Sequence, residues 1–394
     1  MNIPRGALRT TGFVVGGLTV LAGAFFVWLL MIAWRSATQG MTERVTEAVA
    51  AARARDPRRP VIRGEAVPGR AWTEYEQGLA LAKGVVVVDV RHWLDGTGAA
   101  DRPKAAAVLA ANRRALDFLR AGARKAEGAY PTQWEKGVSA DLPSLVAVQN
   151  LSTLAVGEAR LLMDAGKPRE AADLLLDAAQ LGADLGRNTV LIGELIGLAS
   201  LGEMFEGLKR LPPDPDVGRA LAVLDANFPN HGETLLNDLT AMGVSFIQTE
   251  DRGLGVPAGW RFGFSQRHML ADAWTTLERM MRRTAATTTA PWAEVERVGA
   301  EIQTEATRSG NQIVENMIGG LLRSHRASRE GLAHLRLLRV LHGGATGLAD
   351  PFGGKLLSDG AKVWSVGADG IDGGGAGGWR PAPTGDIVLE LPVR

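Results

Sequence analysis

The chain has 394 residues, room for two or three domains at roughly 100–200 residues each. Lys plus Arg number 44 and Asp plus Glu 43, and the resulting net charge of +1 excludes a dedicated nucleic-acid binder, which carries a basic surplus. Hydrophobic residues at 46% and charged residues at 22% exclude wholesale disorder, and the absence of cysteine excludes disulfide scaffolds, thiolate zinc sites and cysteine nucleophiles.

No charged residue falls between Arg9 and Arg35, and the apolar heart of that run is Gly12 to Trp34. As a helix it spans about 35 Å, enough for a hydrocarbon core of roughly 30 Å. Its apolar residues continue through Phe25, Phe26, Leu29, Leu30 and Ile32, past the point where a cleaved signal peptide stops. The reading is a retained transmembrane anchor over residues 1–34, with a short cytoplasmic tail. Arg5 and Arg9 on one side nearly balance Arg35, Arg44 and Arg53 on the other. A short N-terminal tail and a long C-terminal body fit a signal-anchor in a bacterial inner membrane, with the bulk of the chain periplasmic. Gly12 and Gly16 form a G-x-x-x-G at the edge of the span, a spacing that permits helix dimers, so an oligomer is open.

Residues 35–70 read as a linker, rich in arginine and broken by Pro57, Pro60 and Pro68, with a short helix from Glu43 to Ala52. Residues 71–342 read as helical. Trp72, Tyr75, Leu79 and Leu81 open an amphipathic stretch, and Asp101 before Pro103 starts a helix running to about Ala126. The clearest part is three helices, Leu145–Asp164, Arg169–Leu185 and Thr189–Leu208, with Ala171, Leu174, Leu175, Ala178 and Leu181 at helical spacing. Their order is that of a tetratricopeptide-like hairpin, without a second copy at a fixed period. Further helices are expected near 216–226, 231–249, 265–285, 291–307 and 311–341. Residues 343–394 hold 14 glycines and two strand signals, Lys362–Val366 and Ile387–Leu391. That segment is too small for a core of its own and should lean on the helices or on a bound ion.

The fold class expected is therefore mostly α: an N-terminal transmembrane helix, an irregular antiparallel helical-hairpin domain, and a small C-terminal β module. The tail places Asp350, Pro351, Phe352 and Gly354 before Ser365, Gly367, Asp369 and Gly370, then Asp372, Gly373 and Gly374, and finally Asp386 and Ile387. This order resembles the calcium-binding end of the major pseudopilin of the type II secretion system. The resemblance covers about 45 residues and implies calcium as a cofactor, with Asp369 and Asp386 as ligands. Asp372 is placed to be a third oxygen donor. Calcium takes six to eight oxygens, and glycines let a loop turn its carbonyls inward. The ordinary reading is that Asp–Gly pairs make turns. The start of the chain lacks the pseudopilin glutamate, since GFVVGGL has none.

The layout is also similar to a group of bacterial single-pass membrane proteins with a tetratricopeptide-like body, matched at Tyr75, Ala172–Leu175, Leu181–Arg187 and Leu191–Ile192, with Gly78 where that pattern has alanine. That group carries no established activity, so the resemblance implies architecture alone.

No H-E-x-x-H, G-x-S-x-G or P-loop occurs. Gly373, Gly375 and Gly378 spell G-x-G-x-x-G without a following helix. His334 and His342 could share a helix face and read as surface or interface residues. Glu194 sits in the apolar run VLIGELIGLASLG, either as an acid of raised pKa or hydrogen-bonded to Arg187 or Arg160. Glu233 and Glu250 are weaker versions. The leading functional expectation is a membrane-anchored extracytoplasmic scaffold or assembly subunit with protein partners. The alternatives are a pseudopilin-like filament subunit and a cell-envelope enzyme acting on glycan through paired acids.

Overall fold

A computed structural model describes residues 40–97, 101–252, 264–380 and 385–392, with no side chains described over 249–269. The expected transmembrane helix and its G-x-x-x-G lie outside these residues. Among the described residues no helix is long and apolar enough to cross a membrane. The protein is mostly α-helical, with two small sheets.

The first helix, α1, covers residues 40–53. It contains the short helix expected from Glu43 to Ala52, and it is packed: Met41 and Val45 are 2% exposed and cluster with Leu239, Met242 and Trp274. The chain that follows is pinned along its length. Arg59 N–H donates to the Ala126 carbonyl, Gly128 N–H to the Pro57 carbonyl, and Ile62 N–H to Gln180 Oε1. Strand β1 (Val67–Arg70) then pairs in parallel with β2 (Lys125–Glu127). Of the prolines that suggested a linker, Pro68 lies within β1 itself.

Between the two strands run α2 (Ala71–Ala82), α3 (Val88–Asp95), α4 (Arg102–Ala111) and α5 (Arg113–Ala123). Asp101 caps α4 by accepting the Lys104 N–H, with Pro103 in the first turn. The single helix expected to Ala126 breaks at Asn112, whose side chain donates to the Val108 carbonyl. That local bond competes with the helix ladder.

The hairpin helices fall where their periodicity put them: α6 (Leu145–Asp164), α7 (Pro168–Leu185) and α8 (Leu191–Lys209). Helix α7 is buried on nearly every side from Ala171 to Leu185. It crosses α8 closely, because a Cβ on Gly197 would lie 2.4 Å from the Gly182 carbonyl oxygen. Each leucine sealed in this core contributes roughly 1.5–3 kcal/mol.

After α9 (Pro215–Ala226) come α10 (His231–Arg252), α11 (Phe264–Ala286), α12 (Trp292–Ser309), α13 (Gln312–Ile318) and α14 (Leu321–Gly343). The helix expected over 311–341 breaks at Gly319–Gly320. The main core runs from Ile62 through α2, α5 to α9 and α14 to Leu389, whereas α1, α10, α11, α12 and α13 share a second one.

The tail forms an antiparallel sheet, β3 (Leu357–Ser358), β4 (Lys362–Ser365) and β5 (Ile387–Glu390), with β4 in the middle. As expected, it leans on the helices: Val363, Ile387 and Leu389 belong to the main core. Phe352 meets Trp292 edge-on at 5.4 Å.

Candidate functional site

The three carboxylates expected at a calcium site each serve a turn. Asp386 is wholly buried and accepts N–H groups from Gly373 at 3.3 Å and Gly375 at 2.7 Å. Asp372 accepts Trp364 Nε1–H and the Gly374 N–H, and Asp369 accepts the Ile371 N–H. Among the described residues no group of three His, Asp or Glu side chains is placed to hold a metal ion. The groups meeting these acids are N–H donors. Asp350 joins the tail together, accepting from Phe352 N–H, Ser365 Oγ and Val366 N–H. Burial pushes its carboxyl upward, against those three bonds.

Of the two histidines expected at the surface or an interface, His342 is buried and His334 is half-buried against the tail. His342 is 2% exposed; it accepts the Asp214 N–H at Nδ1 and its Nε2 meets the Leu208 carbonyl. His334 Nε2 meets the Trp379 carbonyl at 2.7 Å, holding the glycine-rich tail on α14. Burial lowers the pKa of both rings. Glu233 is a half-exposed partner of Arg55, and the Glu250 side chain lies outside the described residues.

Glu194 is the acid that matters. It sits in the first turn of α8 with no exposure. Neither expected arginine reaches it: Arg187 donates to the Asn227 carbonyl and Arg160 to Asp164. Its partner is His231, the first residue of α10, whose Nδ1 lies 2.9 Å from Glu194 Oε2. A carboxylate there fixes the proton on Nδ1 and leaves Nε2 as an acceptor. His231 Nε2 lies 3.5 Å from Ser324 Oγ, in the first turn of α14. Ser324 currently donates to the Leu321 carbonyl at 2.8 Å. Three helix starts thus deliver an acid, an imidazole and a hydroxyl in one line.

The surroundings are under-satisfied. Glu194 Oε1 has no hydrogen-bond partner among the described residues, and neither ring nitrogen of His325 has one. His325 is 1% exposed, with its ring 5.0 Å from that of His231. Burial, then the neighbouring His231 and Arg329, lower its pKa to about 3, so the ring is neutral near pH 7. Arg329 is held by the carbonyls of Thr287, Thr288, Ala290 and Pro351. His231, His325 and Ser328 line an open cavity of about 740 Å³, with Phe228, Leu236 and Leu332 as apolar wall. That is within the usual size of a small-molecule site.

A second, smaller cavity of about 430 Å³ holds Glu203, whose pKa burial raises to about 7 against the pull of Arg91 and Arg380. The one hydroxyl in its lining, Thr153, donates to the Gln149 carbonyl.

Sequence reasoning singled out Glu194 but missed His231 and Ser324, which lie on distant helices. The usable signal was a histidine directly after Pro229–Asn230 at a helix start, beside an acid in an apolar run. No family model, no curated protein and no solved structure matches the chain.

Proposed function

We propose that the chain is an assembly subunit anchored in a bacterial inner membrane, with its helical body in the periplasm binding protein partners. One observation supports this most: the body starts almost where the anchor ends. Only five residues separate Trp34, the end of the apolar run, from helix α1 at residue 40. They can reach no more than about 20 Å. With Met41 and Val45 already packed in the second core, no long tether remains. Such a body is held against the membrane surface, the arrangement a docking platform needs and a freely diffusing domain does not. The similarity of the tail to a secretion pseudopilin favours partners in an envelope machine over soluble ones.

Native purification of the full chain in mild detergent, with mass spectrometry of what accompanies it, tests this. A stoichiometric companion protein is the expected result. A homo-oligomer without a companion would shift the reading to a filament subunit. A phosphatase fused after Arg394 should be active, and an inactive fusion at normal expression would overturn the periplasmic placement.

A further inference from the structure

The second cavity, of about 430 Å³, is lined by charged groups that the fold leaves open. Glu203, Glu206 and Arg210 reach it from the C-terminal half of α8 and its cap, at spacings of three and four residues that put them on one helix face. Helix α3 adds Arg91 and Asp95, again four residues apart, and the tail adds Arg380.

Ion pairing among these groups is incomplete. Glu206 is taken twice, by Lys209 at 3.0 Å and by Arg380 at 3.1 Å. The Arg91 side chain donates to the Thr153 hydroxyl at 3.4 Å, and neither Arg91 nor Arg210 has a carboxylate partner among the described residues. Glu203 has no hydrogen-bond partner among them either, and its oxygens are not sealed from solvent. We propose that this cavity binds a small oxyanion-bearing molecule, a dicarboxylate or a sulfate or phosphate ester, with Arg91 and Arg210 as its charge partners and Glu203 as a protonated donor to it. This goes beyond the anchoring role and does not depend on it.

Guanidinium groups meet carboxylate, sulfate and phosphate oxygens with paired N–H bonds, and two of them stand here without a counter-charge. The volume is that of a small-molecule site, and Leu94 and Val156 in its lining suit a short carbon skeleton. Glu203 would repel an anion if it were ionised. Burial, helped by Asp95, raises its pKa to about 7 against the pull of Arg91 and Arg380, so near neutral pH the proton is at hand. The groups facing it are Arg91 and Asp95 from α3, Glu206 and Arg210 from α8, and Arg380 from the tail, while α6 lines the cavity with the uncharged Thr153 and Val156. His334, reached through Trp379, is held below its ordinary value by burial and gives up its proton before Glu203 does. Binding of the anion is therefore coupled to a proton on Glu203, and affinity follows the protonated fraction of that one carboxyl.

Isothermal titration calorimetry on the full chain in dodecyl maltoside tests this, with tartrate and sulfate as probes because both stay fully ionised between pH 6 and pH 8. One site is expected, with Kd about 10-fold weaker at pH 8 than at pH 6. Tighter binding of tartrate marks a carboxylate ligand, and tighter binding of sulfate marks a sulfate or phosphate ester. Glu203→Gln keeps a donor and loses the charge, so it should bind at pH 8 as tightly as the parent chain does at pH 6, with no dependence on pH. Arg210→Gln removes an exposed side chain with no partner to lose, so it should melt within about 2 °C of the parent while weakening both probes by at least about 10-fold. A folded parent chain that binds neither probe, a pH dependence that persists in Glu203→Gln, or parent-like binding by Arg210→Gln would overturn the proposal.

Discussion

Asp184 closes α7 and Glu194 opens α8, and both carboxylates are wholly buried. They are held in opposite ways. Asp184 Oδ1 accepts from Arg59 Nε and Gln180 Nε2, and its Oδ2 accepts from Arg59 Nη2 and the Tyr75 hydroxyl. The adjoining Asp177 takes Arg63 at 2.7 Å. Both oxygens of Asp184 are filled by donors fixed in packed helices and in the segment before β1. Glu194 has one partner, a histidine that itself faces a cavity. The difference teaches how to tell a strut from a site. A buried acid with every lone pair occupied stabilises a fold, whereas one with an oxygen to spare beside a titratable neighbour is placed for chemistry. In the first region the unpartnered atoms, Arg59 Nη1 and Arg63 Nε, belong to the arginines and not to the acids; in the second an oxygen of the acid itself is left over.

Amide substitution of the two acids is the sharpest way to break that contrast. Asp184→Asn leaves the fully buried Arg59 guanidinium without its counter-charge. Breaking such a pair costs about 3–5 kcal/mol, so thermal unfolding in detergent should move down by several degrees, or the chain should fail to accumulate. Glu194→Gln keeps one bond to His231 and should cost about 1 kcal/mol or less. Equal losses in the two variants would erase the distinction between strut and site.

His325 gives a second, smaller effect with a pH signature. Its ring is buried with no well-formed hydrogen bond, only a weak pull from the Thr288 backbone, so His325→Leu should stabilise the chain by about 1–2 kcal/mol near pH 7. The sign with pH follows from a pKa lowered by folding. Folding favours the neutral ring, and that contribution is present above the ordinary histidine value of about 6.5 and is lost as pH falls from there towards about 3. Glu203, raised to about 7, and Asp238, raised to about 6, work the other way, losing stability as pH rises. Comparing the two chains cancels both. The melting-temperature advantage of His325→Leu should widen between pH 7 and pH 5, and a constant gap would mean that the ring is hydrated or paired.

These effects also mark how far the sequence could be read. Helices α6, α7 and α8 were legible to within two residues or so, because each carries its apolar stripe at the helical period. The strand signals at 362–366 and 387–391 became β4 and β5 because β-branched and aromatic residues cluster there. What was not legible depends on distant packing. Arg59 reads as one more arginine in a basic linker until Asp184 and the α5 carbonyls surround it. Glu194 reads as an oddity until α10 and α14 bring His231 and Ser324 to it. Periodicity places residues on faces and says nothing of which faces meet.

The smallest expected effect concerns the tail, where the resemblance to a calcium-binding loop meets the observed hydrogen bonds. Both oxygens of Asp386 take glycine N–H groups, Asp372 takes an indole and a glycine N–H, and Asp369 takes the Ile371 N–H. The backbone dipoles at Asp386 already supply what a cation would supply, a positive field at a buried carboxylate. For calcium to enter, Asp369, Asp372 and Asp386 would have to be brought onto one point with carbonyl oxygens beside them, which is not their arrangement among the described residues. The cost of that rearrangement opposes binding, so a chelator should leave the melting temperature of the full chain within about 1 °C of its value with added calcium. If chelation instead lowers it by several degrees, and Asp369→Ala removes the response, the loop has a second arrangement in which Asp369, Asp372 and Asp386 converge. The tail would then belong with Glu194 among the sites and not with Asp184 among the struts.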